Sequence, residues 1–174
     1  DSVDDVIIEW DNGGLGGIDT VVSDIDYTLS VNLENLTLTG TADLSATGNA
    51  SANLIVGNAG ANRIWGGDGD DTINGGAGTD TLWGGTGNDT FVFRSGEANG
   101  DIVMDFDKGD KLVFEGFGAN AFTTRSGNDL IIHDGAHSET ITLYGSGAWA
   151  AVGSFAAVTP LAPDLAMHGN ALIL

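Results

Sequence analysis

Between Gly48 and Val92 the chain repeats one nine-residue phrase five times without a spacer: GNASANLIV, GNAGANRIW, GGDGDDTIN, GGAGTDTLW and GGTGNDTFV. Position one is Gly every time. Position six runs Asn, Asn, Asp, Asp, Asp, and position eight runs Ile, Ile, Ile, Leu, Phe. Six residues rich in Gly, with Asn or Asp at the remaining special positions, suit a turn whose backbone visits positive φ and leaves carbonyls pointing inward. The three that follow, such as Thr72-Ile73-Asn74, suit a very short strand with its middle side chain facing in. Two phrases make one coil of eighteen residues. Turns 66–71 and 84–89 then share one edge, turns 57–62 and 75–80 share the other, and parallel strands stack at about 4.8 Å per coil. A carboxylate from one turn meets the next turn on its own edge, where the inward carbonyls supply further oxygens for a hard cation such as Ca²⁺.

Charge and composition agree. Lys and Arg number 5 against 25 Asp and Glu, a formal net charge of −20. Such a chain lacks the clustered bases that nucleic acid or anionic membrane surfaces require. The 28 Gly are roughly twice the usual share. A hydrophobic content of 41% is too high for a disordered acidic tail, so a core can form once the charge is neutralised. With no Cys, no disulfide scaffold contributes. No apolar run reaches transmembrane length, and DSVDDVIIEW begins without Met or a basic signal-peptide start, which reads as a piece of a longer protein.

The phrase G-G-x-G-x-D-x-U-x, matched three times in tandem from Gly66, resembles the hemolysin-type calcium-binding repeat of the RTX family. The resemblance implies an all-β fold: a right-handed calcium-binding parallel β-roll, or β-solenoid, with an N-terminal cap and C-terminal capping strands, binding several Ca²⁺ ions. It also implies a ligand set, each ion lying between two turns of one edge. One full site takes Gly67, Gly69, Asp71, Gly84, Thr86 and Asp89. A second takes Asn58, Gly60, Asn62, Gly75, Ala77 and Asp80, and is weaker because Asn62 replaces an Asp. A third joins Gly76, Gly78 and Asp80 to Asp101 and Asp105. Asp68 and Asp70, at positions three and five, are expected to face solvent.

The flanks divide the chain into residues 1–47, an N-terminal cap of degenerate coils; 48–92, the five nonapeptides; 93–147, capping β-strands; and 148–174, a segment like a secretion signal, all within one structural domain. GLGGIDTVV (14–22) sets Asp19 at position six and Val21 at position eight, and NLTLTGTADLSAT behaves like an imperfect coil. After Val92, GDIVMDFDKGDKLVF and GNDLIIHDGAHSETITLYG alternate apolar and polar residues, which predicts longer strands that close the roll. NALIL at the end is similar to the family's secretion terminus, with Asn170 where an acid is expected.

Nothing in the sequence builds a catalytic centre. His133 and His137 fall in a Gly-containing turn, and the H-E-x-x-H of the secreted zinc proteases is absent. Trp65 and Trp83 both occupy position nine, one coil apart and beside Arg63, on an outward face. They predict either a carbohydrate-binding platform or a seat for the C-terminal segment, Trp149 or Phe155 covering them; the apolar run after Tyr144 favours the seat. The resemblance extends to serralysin-like proteases, mannuronan epimerases and polysaccharide lyases. It implies a non-catalytic module of a secreted bacterial protein, attached to an upstream catalytic or adhesion domain and handled by a type I secretion apparatus. The alternative is a polysaccharide-binding or adhesion module.

Overall fold

The structure, a computed structural model, describes residues 17–145 and 171–173. Residues 14–16 of the first degenerate phrase, Trp149, Phe155, Asn170 and most of segment 148–174 lie outside the described residues. Alternate strands of the chain go to two sheets. The first holds β1 (Thr20–Ser23), β3 (Asn35–Leu38), β5 (Leu54–Val56), β7 (Thr72–Asn74), β9 (Thr90–Arg94) and β11 (Lys111–Glu115), with β15 (Ala171–Ile173) at its end. The second holds β2 (Tyr27–Thr28), β4 (Ser45–Thr47), β6 (Arg63–Asp68), β8 (Thr81–Thr86), β10 (Ile102–Val103), β14 (His137–Leu143), β13 (Asp129–Asp134) and β12 (Phe122–Ser126), in that order. From β1 to β11 every pairing within a sheet is parallel. The fold is an all-β parallel β-solenoid of about five turns.

The repeat explains the stacking. Position-eight residues Ile55, Ile64, Ile73, Leu82 and Phe91 are each 0% exposed, because the middle residue of every short strand points between the sheets. Leu36, Ile55, Ile73, Phe91 and Leu112 form one column in register, and Ala46, Ile64, Leu82, Val103 and Leu143 form the facing one. Each coil thus adds two apolar side chains to one continuous core, each contributing roughly 1.5–3 kcal/mol when fully buried.

Two expectations are corrected. Within the nonapeptides, two strands of the second sheet are longer than three residues: β6 and β8 run on into the turn, where Gly67 pairs with Gly85 and Asp68 with Thr86. Glycine at these positions lets the two backbones keep hydrogen bonding where a side chain would hold them apart. The segment after Val92 first continues the roll instead of closing it. Thr81 pairs with Ile102 and Thr90 with Lys111, so the coil length rises from 18 to 21 residues without loss of parallel stacking. Closure comes later, where β14 joins β10 in parallel and β13 and β12 add antiparallel hairpins.

Candidate metal centre

Position six builds a hydrogen-bonded column along each edge. Asp71 Oδ1 accepts from the Asn53 amide at 2.8 Å, Asp89 Oδ1 from Asp71 at 2.9 Å, and Asp110 Oδ1 from Asp89 at 2.9 Å. On the other edge Asp80 Oδ1 accepts from Asn62 at 2.8 Å and Asp101 Oδ1 from Asp80 at 2.9 Å. One carboxylate oxygen therefore fastens each coil to the one before it. Asp71, Asp80, Asp89 and Asp101 are no more than 1% exposed, yet the second oxygens of Asp71 and Asp80 have no hydrogen-bond partner. A buried carboxylate oxygen without a donor is costly to leave unmatched.

These oxygens face a cradle made by glycine. A Cβ at Gly66 would run into Asp71 Oδ2 and the Gly84 carbonyl oxygen; at Gly75 it would meet Asp80 Oδ2, and at Gly84, Asp89 Oδ2. Carbonyls line the same edge, since a Cβ at Gly85 or Gly87 would strike the oxygens of Gly67 or Gly69. Positions two and four of the three later turns, Gly67, Gly69, Gly76, Gly78, Gly85 and Gly87, all have φ between 88° and 147°, conformations that Gly alone adopts readily. Among the described residues no three acidic or histidine side chains converge on one point. A cation here would take its remaining oxygens from the backbone, as hard cations do.

Burial sets the electrostatics. It pushes the carboxyls of Asp71, Asp80 and Asp101 up to about 7, against the opposing effect of the backbone N–H each accepts from Asn53, Asn62 and Asp80. Neighbouring carboxylates raise Asp71 and Asp101 further, and Asp89 and Asp110 are raised in the same way, burial first. Ionised carboxylates in these positions call for a cation; the donor set, all oxygen, fits a hard divalent ion.

The expected ligands fall as follows. Gly67, Gly69, Asp71, Gly84, Thr86 and Asp89 come together across turns 66–71 and 84–89, where the Gly69 amide also donates to the Thr86 carbonyl at 2.8 Å. Asn58, Gly60, Asn62, Gly75, Ala77 and Asp80 likewise meet across turns 57–62 and 75–80, but Asn62 is engaged within its own turn. Its Oδ1 accepts from the Asn58 amide and its Nδ2 donates to Asn58 Oδ1. Gly76, Gly78 and Asp80 lie on the edge that Asp101 extends. Asp105 does not join them: it sits on the opposite edge, its two oxygens accepting from the Gly84 and Gly85 amides at 2.9 and 3.0 Å. Its separation from Asp101 follows from the intervening strand β10, which carries the chain from one edge to the other. Asp110 went unnoticed in the sequence. The offset of 21 residues that relates Asp101 to Asp80 relates Asp110 to Asp89 as well.

Asp68 and Asp70 are exposed braces. Asp68 accepts from the Thr86 hydroxyl at 2.7 Å, and Asp70 accepts from the Asn88 backbone and side-chain amides, which hold its carboxyl below the usual range. His133 lies within β13 instead of in the turn, stacked on Phe122 with Thr124 and Ser138 hydroxyls at its two ring nitrogens.

Trp65 and Trp83 stack with centroids 4.4 Å apart and planes 10° apart, each half-buried. Register places Met104 beside Trp83 and Tyr144 beside Met104, so the pair starts an outward apolar row across the second sheet; Arg63 stands exposed two residues before Trp65. Trp83→Ala is expected to lower thermal stability by about 1–2 kcal/mol, less than for a fully buried Trp, because it removes a stacked partner from a half-open surface. A differential scanning measurement on the calcium-loaded chain checks this.

Two comparisons complete the picture. The family model described as RTX calcium-binding nonapeptide repeat (4 copies) matches residues 47–82 and 66–97. No curated protein matches the chain.

Proposed function

We propose, for a chain that belongs to the RTX calcium-binding nonapeptide repeat family through residues 47–97, a non-catalytic module whose folding is driven by calcium outside the cell. The repeats imply Ca²⁺ binding by a β-roll. The observation that carries the reading is the buried, unmatched carboxylate oxygen on each of Asp71 and Asp80 in the repeats, with a third on Asp19 at position six of the first degenerate phrase. When bound, calcium supplies the positive charge that lets such carboxylates stay ionised inside the roll. Without it, Asp71, Asp80, Asp89 and Asp101 must take up protons or leave the interior. With a formal charge of −20 and only two core side chains per coil, the later coils then bury too little to offset chain entropy. An unfolded chain can thread a type I secretion channel; the folded one stabilises the secreted product. In this reading the module belongs to a larger secreted bacterial protein, with a catalytic or adhesion domain upstream.

The alternative use of Trp65 and Trp83 as a polysaccharide platform has weaker support. Their near-parallel stacking turns one face of each ring onto the other, whereas sugar binding uses free faces.

Calcium titrations of single variants test the reading. Asp71→Ala or Asp89→Ala should weaken calcium affinity at least tenfold and blunt cooperative folding, while Asp68→Ala or Asp70→Ala should change affinity less than threefold. Equal effects from all four would mean that bulk charge, and not the position-six column, governs binding.

A further inference from the structure

Two classes of turn meet at Gly66. In turns 48–53 and 57–62, position two is Asn and no residue has positive φ. Asn49 Nδ2 donates to the carbonyls of Ser30 and Leu33, both at 2.7 Å, and Asn58 Nδ2 to those of Thr39 and Ala42 at 2.9 and 3.0 Å. Asn53 Nδ2 adds bonds to the Leu33 and Glu34 carbonyls at 3.2 Å each. The same side chains hold their own turns, since Asn49 Oδ1 accepts from the Ser51 amide and Asn58 Oδ1 from Gly60, both at 2.8 Å. Each amide thus gathers two backbone oxygens of the preceding coil on its own edge. From Gly66 onward the arrangement ends. Position two becomes Gly67, Gly76 or Gly85, which has no side chain to reach back, and position six becomes a buried carboxylate.

We propose that the amides of Asn49, Asn53 and Asn58 are built-in substitutes for cations, so that the coils before Gly66 stay stacked without calcium and calcium dependence begins at Gly66. An amide NH₂ presents two donors with partial positive charge, enough to satisfy two carbonyl oxygens, and brings no net charge that needs a counter-ion. These coils have an apolar core of their own in Leu36, Leu38, Ala46, Ile55 and Ile64, each 3% exposed or less. The first coils then form a standing template onto which the calcium-dependent coils add, sparing them the cost of nucleating the roll. For the later coils the inference rests on the calcium-driven folding proposed above.

Hydrogen exchange read by mass spectrometry on the full chain, in calcium and in EGTA at pH 7.5, tests it. In EGTA, amides of 35–38, 45–47 and 54–56 should exchange about 100-fold slower than unstructured chain, while those of 72–74, 81–86 and 90–94 lose protection. If both halves exchange together in EGTA, the amides do not replace cations and the proposal fails. If both halves stay protected in EGTA, calcium-driven folding itself fails, and with it a boundary at Gly66. The variant Asn49→Ala separates the amides from the core: protection of the first coils in EGTA should fall at least tenfold, with calcium uptake across turns 66–71 and 84–89 retained. Unchanged protection in that variant would overturn the role of the amides.

Discussion

Stripping calcium with EGTA at pH 7.5 and exchanging the chain into metal-free buffer is expected to remove most of the β-sheet circular dichroism contributed by the coils after Gly66, and acidifying the metal-free sample to pH 5 to restore part of it. The sign follows from the direction of the shifts. Burial raises the carboxyls of Asp71, Asp80 and Asp101 from 3.8 to about 7 in the fold. Between those values the folded chain holds protons that the unfolded chain has released, so stability of the calcium-free fold falls as pH rises through about 7 and is fully present only below the unfolded value. Calcium reverses the preference, because only the ionised carboxylates bind it. Calcium-loaded chain should therefore lose stability on acidification while calcium-free chain gains it. Opposite slopes in two thermal-melt series, one in calcium and one in metal-free buffer, are the signature. Parallel slopes would show that the buried carboxylates do not control folding.

Gly85→Ala is expected to be the most damaging single substitution on the edge of the roll, costing more than about 4 kcal/mol in calcium and lowering calcium affinity at least tenfold. Gly85 has a φ of 100°, and a Cβ there would strike the Gly67 carbonyl, backbone against backbone. Neither partner can step aside without parting turns 66–71 and 84–89, and the Gly67 oxygen belongs to the ligand set proposed for calcium. Gly96→Ala is the control. Its φ is 89°, but a Cβ there meets nothing within 4 Å, so only the left-handed conformation is penalised, about 1–2 kcal/mol. Comparable losses from the two would mean that backbone strain, and not the close approach of coils, sets the requirement for glycine. Chemical denaturation in calcium measures both.

What the sequence determined by itself was everything that recurs at nine. Gly at one, Asp at six and an apolar residue at eight encode a coil in which each phrase makes the same contacts with the phrase eighteen residues away, so spacing alone places Asp71 and Asp89 on one edge and Ile73 and Phe91 in one column. Only the tertiary structure decided what lies beyond the beat. After Val92 the spacing grows to 21, and the partner of each residue is chosen by which neighbour's backbone is open to pair, not by any local pattern. That choice carries Asp101 onto the column of Asp80 and Asp110 onto that of Asp89, and it sends Asp105 to the opposite edge. The same holds for side chains that reach across coils. Nothing in the phrase itself gives Asn49 or Asn58 a bond to the coil before, or Met104 and Tyr144 a place beside Trp83; stacking alone brings the amides onto the carbonyls of the coil before and lines Met104 and Tyr144 up with Trp83. A period in sequence specifies the contacts a coil makes repeatedly, whereas contacts made once, at the ends of the roll, depend on hydrogen-bonding partners distant along the chain.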